Sequence, residues 1–129
     1  MSLRIVLAGA ALVFALAGPA TAAEMEDVVT VHETAHGKVL ADRKGMTLYT
    51  FDKDPAGKSV CNGKCAQNWP PLLASAQAQA TGDFSLVTRD DGKKQWAYKG
   101  KPLYLWVKDT KPGDMTGDKV NNVWAAARP

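Results

Sequence analysis

From Val28 onward, hydrophobic positions alternate with polar ones instead of recurring at helical spacing, and turn residues interrupt the alternation every eight to ten positions. Short strands follow from that pattern. In the second half of the chain they are predicted at 84–88, 95–98 and 103–107, with Asp90-Asp91-Gly92-Lys93 as a tight hairpin turn. The first half offers 28–33, 38–42 and 47–52 for the same roles, with Arg43-Lys44-Gly45 as its second turn.

The two halves are copies of one another. A slide of 55 residues, carrying His36 to Asp91, superimposes them without a gap. Gly37 then meets Gly92, Lys44-Gly45 meets Lys99-Gly100, Leu48-Tyr49 meets Leu103-Tyr104, Asp54 meets Asp109 and Trp69 meets Trp124. The repeats span 28–74 and 83–129, and the small, polar segment 75–82 between them reads as a linker or one helical turn. Each copy is expected to be a three-stranded meander followed by a loop and a tryptophan-centred segment. Three strands bury too little to stand alone. The two meanders should therefore pack into one small all-β domain over 23–129, about a pseudo-twofold axis, with short helical or irregular segments around the tryptophans. Tyr49 with Phe51, and Tyr104 with Trp106, sit two residues apart on one strand face and should anchor the shared core.

Before the repeats, the chain reads as a secretory signal. Arg4 precedes an apolar run from Ile5 to Leu16, and Gly18, Pro19 and the small residues Ala20-Thr21-Ala22-Ala23 follow. Residues 1–22 are assigned to a cleaved signal peptide, with the cut after Ala22 or Ala23. The apolar run is short of the roughly 20 residues a spanning helix needs. Charge adds little. Lysine and arginine number 16 against 13 acids; without Arg4 the balance is 15 against 13, and the lysines are interleaved with Asp52, Asp54, Asp90, Asp91 and Asp109. A nucleic-acid binder would gather its cations on one face, so nucleic acid is not an expected partner.

Tyr49-x-Phe51-x-x-Asp54 and Tyr104-x-Trp106-x-x-Asp109, with Cys61-Asn62-Gly63-Lys64-Cys65 and Trp69-Pro70-Pro71, resemble the bacterial secreted repeat of unknown function, also described as predicted lipoproteins with a Tyr-x-(Phe/Trp/Tyr)-x-x-Asp motif. The resemblance covers nearly all of the chain after the signal. It implies export and repetition and brings no catalytic mechanism. This chain departs from the lipoprotein label, because its cysteines, Cys61 and Cys65, lie far from the cleavage point. A soluble periplasmic or secreted protein is the expectation.

Cys61 and Cys65 fall on Thr116 and Val120 of the second copy, so the fold does not need the pair twice. In an oxidising compartment the structural reading is a disulfide. The functional reading is a metal site, copper first, because paired thiolates suit a soft ion. His32, His36, Met46 and Met115 are the candidates to complete its shell; a thiol redox role is a further alternative. On the strand pattern Val29 and Val31 take the core face and His32 the exposed one. Other signatures fail on spacing. Haem attachment wants a histidine where Ala66 follows Cys65, a thioredoxin centre has two residues between its cysteines, and the phosphate-loop ending Gly57-Lys58-Ser59 lacks its first glycine, where Asp52 stands. Asp54 and Asp109 are expected to cap turns, and Trp69 and Trp124 to plug the core. With no nucleophile, base and orienting group at interpretable spacing, the leading expectation is a non-enzymatic envelope module that binds a protein or surface component. Its rival is a periplasmic copper-binding or electron-transfer accessory protein.

Overall fold

The computed structural model describes residues 28–129; the signal-peptide assignment and its cleavage point lie outside the described residues. Small antiparallel sheets make up the fold, with little helix. In chain order the elements are β1 (Val29–Thr34), β2 (Gly37–Asp42), β3 (Tyr49–Phe51), helix α1 (Lys64–Asn68), β4 (Leu73–Ala74), β5 (Phe84–Thr88), β6 (Lys94–Tyr98), β7 (Lys101–Pro102), a 3₁₀ turn (Val120–Asn122) and β8 (Trp124–Ala126). β1 pairs with β2, β3 with β8, and β6 lies between β4 and β5 and also pairs with β7. Of the helical or irregular segments expected around the tryptophans, the structure forms α1 ahead of Trp69 and the 3₁₀ turn ahead of Trp124.

The meanders close differently from the sequence expectation. The regular strand beside β6 is Lys101–Pro102, ahead of the predicted 103–107; residues 103–107 divide their bonds among several partners and end in a turn at Val107. Tyr104 exchanges backbone bonds with Tyr49 of the other copy, while the amides of Leu105 and Val107 donate to the carbonyls of Pro70 and Asn68. A strand that serves several neighbours cannot keep one regular ladder. In the first copy the third strand narrows to Tyr49–Phe51, and its long-range partner is β8.

The gapless alignment also conceals two compensating changes of one residue. The first hairpin turns through Ala35-His36 in copy one, but through Asp90-Asp91-Gly92 in copy two, where the Arg89 amide bonds to the Lys93 carbonyl. The second turn is Arg43-Lys44-Gly45 in copy one and only Lys99-Gly100 in copy two. Leu40, paired with Val31, therefore corresponds to Trp96, paired with Leu86, one residue away from the sequence alignment. One residue of register moves a side chain to the opposite face.

Each copy finishes the other. The amide of Trp96 donates to the Leu72 carbonyl, the Leu72 amide to Leu103 and the Leu103 amide to Trp96, closing a triangle in which the tail of copy one inserts into copy two. Leu40, Ala127 and Leu48 form the same triangle, with the same donor order and the tail of copy two inserted into copy one. Two cores result, both built from both copies. One gathers Val29, Leu40, Leu48, Leu72, Trp96 and Leu103; the other holds Val39, Tyr49, Cys61, Trp69, Tyr104 and Trp124. The linker makes a turn closed by the Ala78 amide on the Ser75 carbonyl, and Ala78 packs on the first core. Val31 departs from expectation. It is 54% exposed while Val29 and Leu40, the cross-strand partner of Val31, are buried, and His32 takes the half-buried face in its place.

Candidate functional site

The second core is organised by four stacked aromatic rings. Phe51 lies on Trp124 with centroids 4.2 Å apart, Trp124 on Trp69 at 3.8 Å, and Trp69 on Trp106 at 3.9 Å. Phe51 is the counterpart of Trp106, and Trp69 of Trp124, so the ladder reads the same from either end and the pseudo-twofold axis passes between the two central indoles. Tyr49 meets Trp69 edge-on, and Tyr104 meets Trp124 in the same way. Offset and edge contacts of this kind add to the area that the rings bury.

The hydroxyls above this ladder are exchanged between copies. Tyr49, of copy one, donates to Asp109 Oδ2 of copy two at 2.5 Å, and Tyr104 donates to Asp54 Oδ2 of copy one at the same distance. Each carboxylate uses its other oxygen to hold a loop six or seven residues on rather than the turn directly after it; the Thr110 and Lys111 amides donate to Asp114 instead. Asp54 Oδ1 accepts the Val60 amide, and Asp109 Oδ1 accepts the amide and hydroxyl of Thr116. Burial, reinforced by the neighbouring carboxylate, holds both phenols well above the ordinary tyrosine range. Burial also raises the Asp54 carboxyl, against the pull of Tyr104, the Val60 amide and the Arg89 charge.

Around these pairs the symmetry ends. Behind Tyr104 stands a directed chain of donors: Arg89 Nη1 to Ser59 Oγ at 3.0 Å, Ser59 to the Tyr104 oxygen at 2.6 Å, and Tyr104 to Asp54. Arg89 is buried and also donates to Gln95 Oε1 and the Cys61 carbonyl, both at 2.7 Å. Gln95 passes its own N–H to the Leu103 carbonyl. A guanidinium out of water requires such a full set of acceptors. Behind Tyr49 only the Gly117 amide donates, and a Cβ on Gly117 would stand 2.9 Å from the Trp69 and Tyr49 rings. Arg89, Ser59 and Gln95 escaped the sequence reading, since the chain carries no local signal that they meet.

Cys61 and Cys65 are joined in a disulfide whose first half is buried in the second core and whose second half opens α1. The bond consumes both thiolates proposed as metal ligands. His32 and His36 lie on β1 and its turn; among the described residues no three His, Cys, Asp or Glu side chains converge as a metal group. His32 is partly buried beside Gly45 rather than freely exposed, Met115 packs on the second core and the Met46 amide donates to Asp42.

The family model described as a secreted repeat of unknown function matches the chain twice, over residues 30–73 and 85–128. The chain belongs to this family. The two matched segments are the two interlocked copies, so the secreted repeat is a unit of sequence whose backbone is completed by its neighbour. Comparison with curated proteins and with solved structures gives no match. Among the described residues, no helix is long and apolar enough to cross a membrane.

Proposed function

We propose that this secreted-repeat protein is a non-enzymatic binding module of the bacterial envelope, resident in the periplasm or released from it. The observation that carries the reading is how the recurrent polar side chains are used. Tyr49, Tyr104, Asp54 and Asp109 spend their hydrogen bonds on one another and on nearby amides, across the boundary between copies. Groups committed in this way hold a rigid scaffold, and a rigid scaffold presents its surface loops to a partner. The disulfide, found in one copy only, fastens the loop that supplies acceptors to Arg89. The test is co-sedimentation of purified mature protein with washed envelope fractions, together with thiol and metal analysis of protein taken from the periplasm. Saturable retention, with neither free thiol nor metal, is expected. Stoichiometric copper lost on Cys61→Ser, or protein that stays in the supernatant, would overturn the reading.

A further inference from the structure

Away from the aromatic ladder's centre, two clefts adjoin on the β3–β8 face and share Thr50, Lys101 and Ala125. Their chemistries are opposite. The first, about 430 Å³, is lined by Lys99, Lys101, Lys119 and Arg128, with Asp118 the one acid. Asp118 Oδ1 already accepts the Ala126 amide, and four cations against one carboxylate leave a local excess of three positive charges. Among the described residues the one ion pair is Lys38 with Glu33, elsewhere on the surface. The second cleft, about 330 Å³, is lined by Phe51, Trp124, Asn122, Asp52 and Asp54.

Backbone conformation singles out the cationic cleft independently. Four non-glycine residues among those described hold a left-handed φ: Lys99 at 49°, Lys119 at 68°, and Asn121 and Asn122. Asparagine takes that region readily, whereas lysine does so at a cost. Lys99 opens the two-residue turn before Gly100, a place where asparagine is the favoured residue. Both strained lysines line the same cleft. Strain retained where a cheaper residue exists points toward a function for the side chain.

We propose that this double cleft binds a phosphorylated saccharide, the phosphate among Lys99, Lys101 and Lys119 and the sugar against the half-buried Phe51, which the buried Trp124 backs. This rests on the binding-module reading above and names the ligand class of its surface. A compact ammonium recognises phosphate as a point charge, and an excess of three charges suits a multiply charged phosphate better than a single carboxylate. Asp52 and Asp54 of the second cleft repel the phosphate, which fixes its direction; the exposed Asp52 accepts hydroxyl donors, while the accessible part of Phe51 covers the apolar face of a sugar ring. Cleft volumes of this size are those of small-ligand sites.

Titration calorimetry of the mature protein provides the test, with glucose 1-phosphate, glucose, inorganic phosphate and phosphatidylglycerol vesicles as probes. Glucose 1-phosphate should bind at least tenfold more tightly than glucose or inorganic phosphate, and the affinity should fall as salt is raised. The double variant Lys99→Asn/Lys119→Asn should lose at least tenfold in affinity while its melting temperature holds or rises, because asparagine relieves the backbone. Lys38→Gln, outside the cleft, should bind as the parent does. Unchanged binding by the double variant, equal binding of inorganic phosphate, or binding of vesicles without binding of glucose 1-phosphate would each overturn the assignment. Should glucose 1-phosphate fail while the protein still sediments with envelopes, the cleft assignment falls and the module reading stands.

Discussion

Tyr49 and Tyr104 show how much a single hydroxyl does when its acceptor belongs to the other copy. Removing it by Tyr49→Phe leaves Asp109, itself only 8% exposed, short of a donor, and hydrogen bonds to charged groups contribute about 1.5–3 kcal/mol. Chemical denaturation should show a loss in that range, and Tyr104→Phe should behave similarly. Both phenols have raised folded-state pKa values, from burial first and the adjacent carboxylate second. In the unfolded chain they ionise near pH ~10. Their contribution is thus fully present below that pH and is lost as pH climbs toward the higher folded values. The alkaline limb of the stability curve should flatten in the double Phe variant; an unchanged limb would show that these hydroxyls do not govern it. Gly117→Ala forces a methyl against Trp69 and Tyr49 and should cost about 1–3 kcal/mol, read as a lower melting temperature.

At the scale of elements, the loop from β3 to α1 is held by the Cys61–Cys65 bond and by the bonds of Arg89 to Ser59 and the Cys61 carbonyl. Closing a loop this short contributes about 2 kcal/mol through the entropy of the unfolded chain. Reduction, or Cys61→Ser with Cys65→Ser, should lower the unfolding free energy by about that amount while far-ultraviolet dichroism keeps its native shape. A loss of the whole fold would give the bond a larger role than loop closure. β2 and β6 teach a different lesson. Their one-residue offset is invisible in the sequence because one turn lengthens as the next shortens, and only the ladders of Val31 with Leu40 and Leu86 with Trp96 expose it.

Taken whole, the molecule is two open halves, each closed by the other's tail. Leu72 completes the Trp96–Leu103 corner, Ala127 completes the Leu40–Leu48 corner, and the central Trp69–Trp124 contact exists only when both copies are present. Segments 28–74 and 83–129 made separately should each lack the dispersed amide spectrum of a folded domain, and mixing them should restore it. A half that folds alone would contradict the exchange. The stacked indoles supply a second readout, since closely packed tryptophans give an exciton-coupled circular dichroism signal; Trp124→Phe should weaken it, leaving the Trp69–Trp106 pair alone.

Alternation and recurrence along the chain were enough to determine short strands, two copies, a tryptophan-centred segment closing each copy, and a cysteine pair confined to one copy. Those properties depend on neighbours a few residues apart, which a linear pattern records. Tertiary structure alone decided that Tyr49 serves Asp109 and Tyr104 serves Asp54, that Arg89 reaches Ser59 and Gln95, and that residues 103–107 divide their bonds instead of forming a strand. Each of those outcomes rests on pairing between residues far apart in the chain. Two halves that share the same motif residues offer each Tyr–Asp bond a choice between its own copy and the other, and packing around the Trp69–Trp124 axis makes that choice.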